Sequence, residues 1–141
     1  PKETAEVLKD GWFFTGDIGL QDELGFLVIM DRAKDIVIRG GENIGCAEVE
    51  YAISEHPAVS EVSVFGVPDE RLGEVPYAVV MVKTDSRLTS EEMIRFLKPR
   101  IATFKIPLDY QFQYDHLPRI ASGKIAKKEL RDSIKFNRKT E

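Results

Sequence analysis

The sequence predicts an α+β fold, a small mixed β-sheet with helices packed on one face. Three observations carry that prediction. From about Asp35 onward, alternating and helix-spaced segments follow one another as strand, helix, strand, strand, helix, strand, helix, an order that suits a two-layer unit. Of 141 residues, 43% are hydrophobic and 31% charged, the ordinary balance of one globular domain, or of one domain plus a piece of another. Residues 1–30 differ, because they offer short strands without enough partners to close a core. They read as the edge of a neighbouring domain.

The elements follow in order. "GWFFTGDIGLQDELGFLVIMD" reads as two short strands, punctuated by Gly11, Gly16, Gly19 and Gly25. "DIVIRGGENI" gives a strand from Ile36 to Ile38 that runs into a double glycine. "AEVEYAISEH" places apolar residues at 49, 52 and 53, a helical spacing, and Pro57 ends it. Residues 59–67 alternate as a strand, with Pro68-Asp69 as the following turn. Residues 74–83 are continuously apolar, as in a strand buried on both faces. Thr89 or Ser90 caps a helix through about Lys98, with Glu91 and Glu92 in its first turn. A strand is expected over 109–117. A last helix is expected over 126–136, where apolar residues recur at 126, 130 and 134.

Composition excludes several functions. No apolar run reaches the roughly 18–20 residues that cross a bilayer, and no basic-then-apolar leader opens the chain. The opening "PKETAEVLKDGW" has no methionine and reads as a piece of a longer protein. A single cysteine, Cys46, forms no internal disulfide framework and fits a reducing cytoplasm. No CxxC or paired-histidine spacing occurs, so no metal site is expected. Residues 119–141 carry eight Lys/Arg against three acids, a local +5, which leaves −9 on the remainder of a chain of net charge −4. A basic tail suits an anionic ligand or a solvated helix face equally well. The acidic remainder, and the lack of aromatics among the basic residues, argue against nucleic acid.

The pair Gly123-Lys124 invites a phosphate-binding reading, but a Walker-type loop needs glycine where Pro118 stands and Ser or Thr where Ile125 stands. A different set of segments is informative. "FFTGDIG", "DRAKDIVIRGGENI", "AEVE", "GVPDERLGEVPYAVV" and "PRIASGKIAKKELR", in this order, resemble the C-terminal region of an acyl-CoA synthetase. These enzymes form the adenylate-forming family shared with coumarate ligases, luciferases and peptide-synthetase adenylation domains. The resemblance spans roughly residues 4–132. Each motif alone is weak; five in sequence at family-like spacing are specific.

The resemblance implies a two-step reaction, in which a carboxylate attacks the α-phosphate of ATP and the thiol of coenzyme A then displaces AMP. An anion must attack an anion, so a positioned ammonium offsets the repulsion and stabilises the developing charge. The resemblance gives that role to Lys124, with Gly123 letting the backbone pass close to the nucleotide. It gives ribose binding to Asp17 and Arg32, the hinge of a domain rotation to Lys34, and part of a coenzyme A channel to Gly40, Gly41 and Glu42. ATP/AMP and coenzyme A are the implied ligands. Magnesium, the ATP phosphates and the acyl pocket would belong mainly to the large N-terminal domain, the implied partner. Residues 1–33 would be the tail of that domain and 34–141 the mobile C-terminal domain, inactive by itself. Taken singly, the same residues allow plainer readings: a turn aspartate, an Arg32 ion pair with Asp31 or Asp35, a loop lysine, a glycine turn. Gly45 and Cys46 stand where many relatives have Tyr and Pro, which puts local rigidity in question. Cys46 reads as a packing residue, His56 and His116 as structural or surface groups, and Lys105 as a weak contributor near the site's mouth. The rival class is a non-catalytic α+β ligand-sensing or protein-interaction module. Within the family, a carrier-protein thiol is the alternative acceptor to coenzyme A.

Overall fold

A computed structural model describes residues 1–134, and none of the first 30 is buried. The chain opens with a short helix, α1 (Lys2–Val7), that has no side-chain cap and buries nothing. The hydrophobic pattern gives no sign of it, since residues 2–7 carry no apolar stripe. Two antiparallel hairpins follow: β1 (Leu8–Lys9) with β2 (Trp12–Phe13), and β3 (Asp17–Gln21) with β4 (Leu27–Arg32). Neither joins the main sheet.

A 3₁₀ turn at Ala33–Asp35 leads into the packed unit. Its elements are β5 (Ile36–Arg39), β6 (Glu42–Gly45), α2 (Cys46–Ser54), β7 (Val59–Asp69), β8 (Gly73–Val82), α3 (Ser90–Leu97), β9 (Asp109–Gln113) and α4 (Lys127–Ser133). The strands lie in the order β6-β5-β8-β7, and β9 runs parallel to β8 beside Tyr77–Met81. One parallel pair among antiparallel ones makes the sheet mixed, as expected.

The double glycine does more than end a strand. Arg39 pairs with Glu42 across Gly40-Gly41, whose φ angles are +55° and +89°. Positive φ at both central residues is a type I′ turn, whose twist matches that of the flanking strands. The expected single strand is therefore a hairpin, completed by β6. The turn expected at Pro68-Asp69 also moves. β7 continues to Asp69, whose carboxylate accepts the N–H groups of Arg71 and Leu72 at 3.0 and 2.9 Å. Pro68 is tolerated within β7 because β7 is an edge strand. β9 stops at Gln113, four residues short of expectation.

Burial on both faces of β8 is as expected, and it corrects the placement of the helices. Ala78, Val80 and Val82 join Val64 beneath α2 and α3, with Val49, Ile53, Met93 and Leu97. The alternate residues Val75 and Val79 pack with Phe65 and Val67 against Leu117 and Leu130 of the C-terminal segment. Helices thus cover both faces of the sheet, not one. Leu130 anchors α4, which is shorter than its spacing suggests; positions 135 and 136 of the expected helix lie outside the described residues.

Two helices begin in different ways. α3 carries a capping box: Thr89 Oγ1 accepts the Glu92 N–H at 3.2 Å, and the Glu92 carboxylate accepts the Thr89 N–H at 2.9 Å. α2 starts at Gly45, which has no side chain to cap with. Asp31 at the end of β4 supplies the missing acceptor, taking the Ala47 N–H at 3.0 Å. A Cβ on Gly45 would meet that same carboxylate oxygen at 3.0 Å, so the small residue makes room for it. The rigidity in question at Gly45-Cys46 is supplied by Asp31.

Candidate active site

The basic segment near the C-terminal end folds back on itself. Ala126 N–H donates to Pro118 O at 2.7 Å, Ile120 N–H to Lys124 O at 2.9 Å, and Gly123 N–H to Ile120 O at 2.9 Å. Arg119 and Ile125 face each other as an antiparallel bridge. This tight loop requires a left-handed residue at 123, where φ is +87°, while the space around an added Cβ is open. Glycine is needed here for its backbone freedom. Lys124 follows immediately and is exposed. Among the described residues its ammonium has neither an ion pair nor a hydrogen-bond partner.

Lys127, one turn on, contrasts with it. Its ammonium lies 2.7 Å from Glu50 on α2, and the same Glu50 oxygen accepts the Val64 N–H at 2.8 Å on the open edge of β7. Burial lowers the Lys127 pKa, but Glu50 more than offsets it and holds the ammonium above its ordinary value. Lys127 is therefore committed to structure.

Both lysines line an open cleft of about 1310 Å³, together with Arg32, Lys34, Arg119 and Lys128 and with the carboxylates Asp35, Glu50, Glu129 and Asp132. Arg32 arrives from β4. Its ladder partner is Asp17, and the side chains pair at 2.9 Å, Nε to Oδ1, while Nη2 donates to Thr15 O at 3.1 Å. The two residues with an expected ribose role are thus adjacent, through a cross-strand register that neither motif reveals. Arg32 pairs with Asp17 rather than with Asp31 or Asp35. Lys34 sits exposed in the 3₁₀ turn at the same cleft. Gly40, Gly41 and Glu42 do not line it; they lie at the far end of β5, a four-residue strand about 13 Å long.

The remaining candidates resolve as follows. Cys46 is fully buried in the core, and burial pushes its thiol up to about 12, so it stays protonated and inert. His56 packs edge-on to Phe96 at 4.7 Å and accepts the Ala58 N–H; burial lowers its pKa. Lys105 is held by both carboxylate oxygens of Glu48 at 2.7 and 2.9 Å and does not line the cleft, contrary to expectation. Among the described residues no three His, Cys, Asp or Glu side chains gather as a metal site would require. None of their helices is long and apolar enough to cross a membrane.

Residues 48–124, ending on Lys124, match the family model described as the AMP-binding enzyme C-terminal domain. The chain belongs to this family. Within it, this C-terminal domain is 48% identical over 130 residues to a long-chain-fatty-acid–CoA ligase of Bacillus subtilis, an alignment covering 92% of the chain and 23% of the relative. It is 46% identical to the fatty acid–[acyl-carrier-protein] ligase ScoC of Streptomyces coeruleorubidus, over 94% of the chain and 25% of the relative. Among solved structures, the o-succinylbenzoate CoA synthetase of Bacillus subtilis, in complex with its acyl-adenylate intermediate, superposes with a TM-score of 0.82. The two are 39% identical over 92% of this chain and 26% of that one. The domain spans about a quarter of the length of the curated relatives it matches.

Two contributors to the site escape sequence reasoning. Glu61 and Arg119 meet across 58 positions at the base of the Lys124 loop. No local motif announces such a pair; only the packing of the 116–126 segment against β7 brings it together.

Proposed function

We propose that the domain works as the mobile C-terminal part of an AMP-forming acid–thiol ligase, in which Lys124 supplies the charge for acyl-adenylate formation. The observation that carries this reading is the Lys124 ammonium, without a partner among the described residues, on a braced turn, opening onto the same cleft as Arg32 and Lys34. The residues fit an anionic nucleotide. Asp17 is acceptor-only and suits two sugar hydroxyls; Arg32 beside it offers donors in a fixed fork. Lys124 can then hold its charge where a carboxylate and an α-phosphate meet, lowering the cost of bringing two anions together. Magnesium and the phosphate grip are assigned to the large N-terminal domain, of which residues 1–33 form the tail, and the 141-residue chain alone is expected to be inactive.

Separation of the two faces supports a rotation about Lys34. The Lys124 cleft and the Gly40-Gly41-Glu42 hairpin lie at opposite ends of β5, so one fixed orientation cannot present both to a single reacting centre. A hinge needs only one or two residues that absorb a φ/ψ change, and Lys34 stands between β4 and β5. Coenzyme A is the proposed acceptor, its thiol arm passing the glycine hairpin. ScoC-like relatives make a carrier-protein thiol the competing acceptor.

The test is Lys124→Ala in the full-length protein. Adenylate formation, followed as pyrophosphate exchange, should fall a hundredfold or more, roughly 3 kcal/mol of transition-state stabilisation. Thioester formation from supplied acyl-adenylate should survive. A ligand-sensing module would show no such division. Neither would a general loss of folding.

A further inference from the structure

Glu61, near the start of β7, has a side chain only 15% exposed, and its carboxylate draws together three donors from one segment. It accepts the Leu117 N–H at 3.0 Å, Arg119 Nη2 at 2.5 Å and His116 Nδ1 at 3.2 Å. An ionised carboxylate only accepts, so His116 is the donor in that contact. The second arm of Arg119, Nη1, donates to the carbonyl of Gly123 at 2.8 Å. That carbonyl belongs to the peptide joining Gly123 to Lys124. A continuous chain of polar contacts therefore runs from the sheet, through one guanidinium, to the backbone that carries Lys124.

We infer that Glu61, acting through Arg119, is a positioning residue that fixes the aim of Lys124. The inference rests on the reading of Lys124 given above. Lys124 has a flexible side chain and no partner of its own among the described residues, so only its backbone can be directed in advance. Gly123, chosen for freedom, is the position most able to wander. The planar fork of Arg119 removes that freedom by tying the loop carbonyl to a strand with its own hydrogen-bond ladder. One N–H of each terminal nitrogen of Arg119 is engaged in this way, and its charge is matched by Glu61. These contacts make it a brace for the loop.

The experiment uses the full-length protein and three variants: Glu61→Gln, Arg119→Lys and the two combined. Each single variant should lower kcat for adenylate formation by roughly tenfold to a hundredfold, the loss expected when a reacting group is held about 1 Å out of place. KM for ATP should stay within about twofold, because no nucleotide contact is removed. Thioester formation from supplied acyl-adenylate should be unchanged. The double variant should lose no more than the worse single, since the two residues act in series. Parallel loss in both half-reactions, additive losses, or a KM effect without a kcat effect would overturn the inference. Full adenylation in all three variants, with Lys124→Ala still deficient, would sink it while leaving the proposed function intact. Full adenylation in Lys124→Ala removes both.

Discussion

Residues 1–30 and residues 36–134 obey the same local rules and end in opposite states. Both contain alternating strands, tight turns and large apolar side chains. In the second region Phe65, Ile44, Ile53 and Met93 are fully buried; in the first Trp12, Phe13, Leu24, Phe26 and Leu27 are each more than 60% exposed. The β3–β4 hairpin has a ladder but no layer to lie against. What separates the regions is therefore a second layer, because a hydrophobic face stabilises only when something covers it. So much exposed apolar surface marks a contact face, consistent with its proposed place on a large neighbouring domain.

The contrast can be broken most directly with Phe65→Ala. Burial on a sheet sandwiched by helices predicts a loss of about 3–5 kcal/mol in unfolding free energy, measured by urea denaturation followed by circular dichroism. Thr89→Ala removes the capping box of α3 and should cost about 1 kcal/mol in the same assay. A weaker effect depends on pH. Burial raises the Glu61 carboxyl, but the Leu117 N–H, Arg119 and His116 outweigh it and hold its pKa below the ordinary 4.5. A depressed folded value means the anchor contributes fully above 4.5 and is lost as pH falls through the folded value. The protection factors of amides over residues 117–124, taken against the intrinsic exchange rate at each pH, should then fall on acidification before those of the β7–β8 core; simultaneous loss would show that the loop has no separate anchor. Smallest of all, Trp12→Ala should shift the stability of the 141-residue chain by no more than about 0.5 kcal/mol, despite the size of the ring. A loss comparable to that of Phe65→Ala would abolish the distinction between the regions.

How much could be read in advance follows the range of each interaction. The α3 cap was legible to within one residue, Thr89 or Ser90, because a capping side chain sits next to the helix it starts, and β8 because an unbroken apolar run needs cover on both sides. Gly40-Gly41 announced a turn, though not the strand beyond it. The cap on α2 was invisible, since its acceptor lies 16 positions back on β4. The Asp17–Arg32 pair depends on register and the Glu61–Arg119 brace on tertiary packing, neither of which a single segment encodes. α4 was legible as a helix but not as one on the opposite face, because its spacing fixes a stripe without saying which layer the stripe meets. For the site, motif resemblance named Lys124, Asp17 and Arg32 individually. Their common neighbourhood, and the loop that carries Lys124, came from tertiary structure.

Asp31 has a mechanical consequence. Its carboxylate grips the first turn of α2 from the strand just before Lys34, so any swivel at Lys34 that carries α2 away from β4 must first snap that hydrogen bond. In the rotation proposed about Lys34 it would act as a detent, a small catch worth about 1 kcal/mol that holds one angular setting and releases under modest load. If that rotation operates, trimming the catch with Asp31→Ala lets the domain pass between settings more freely.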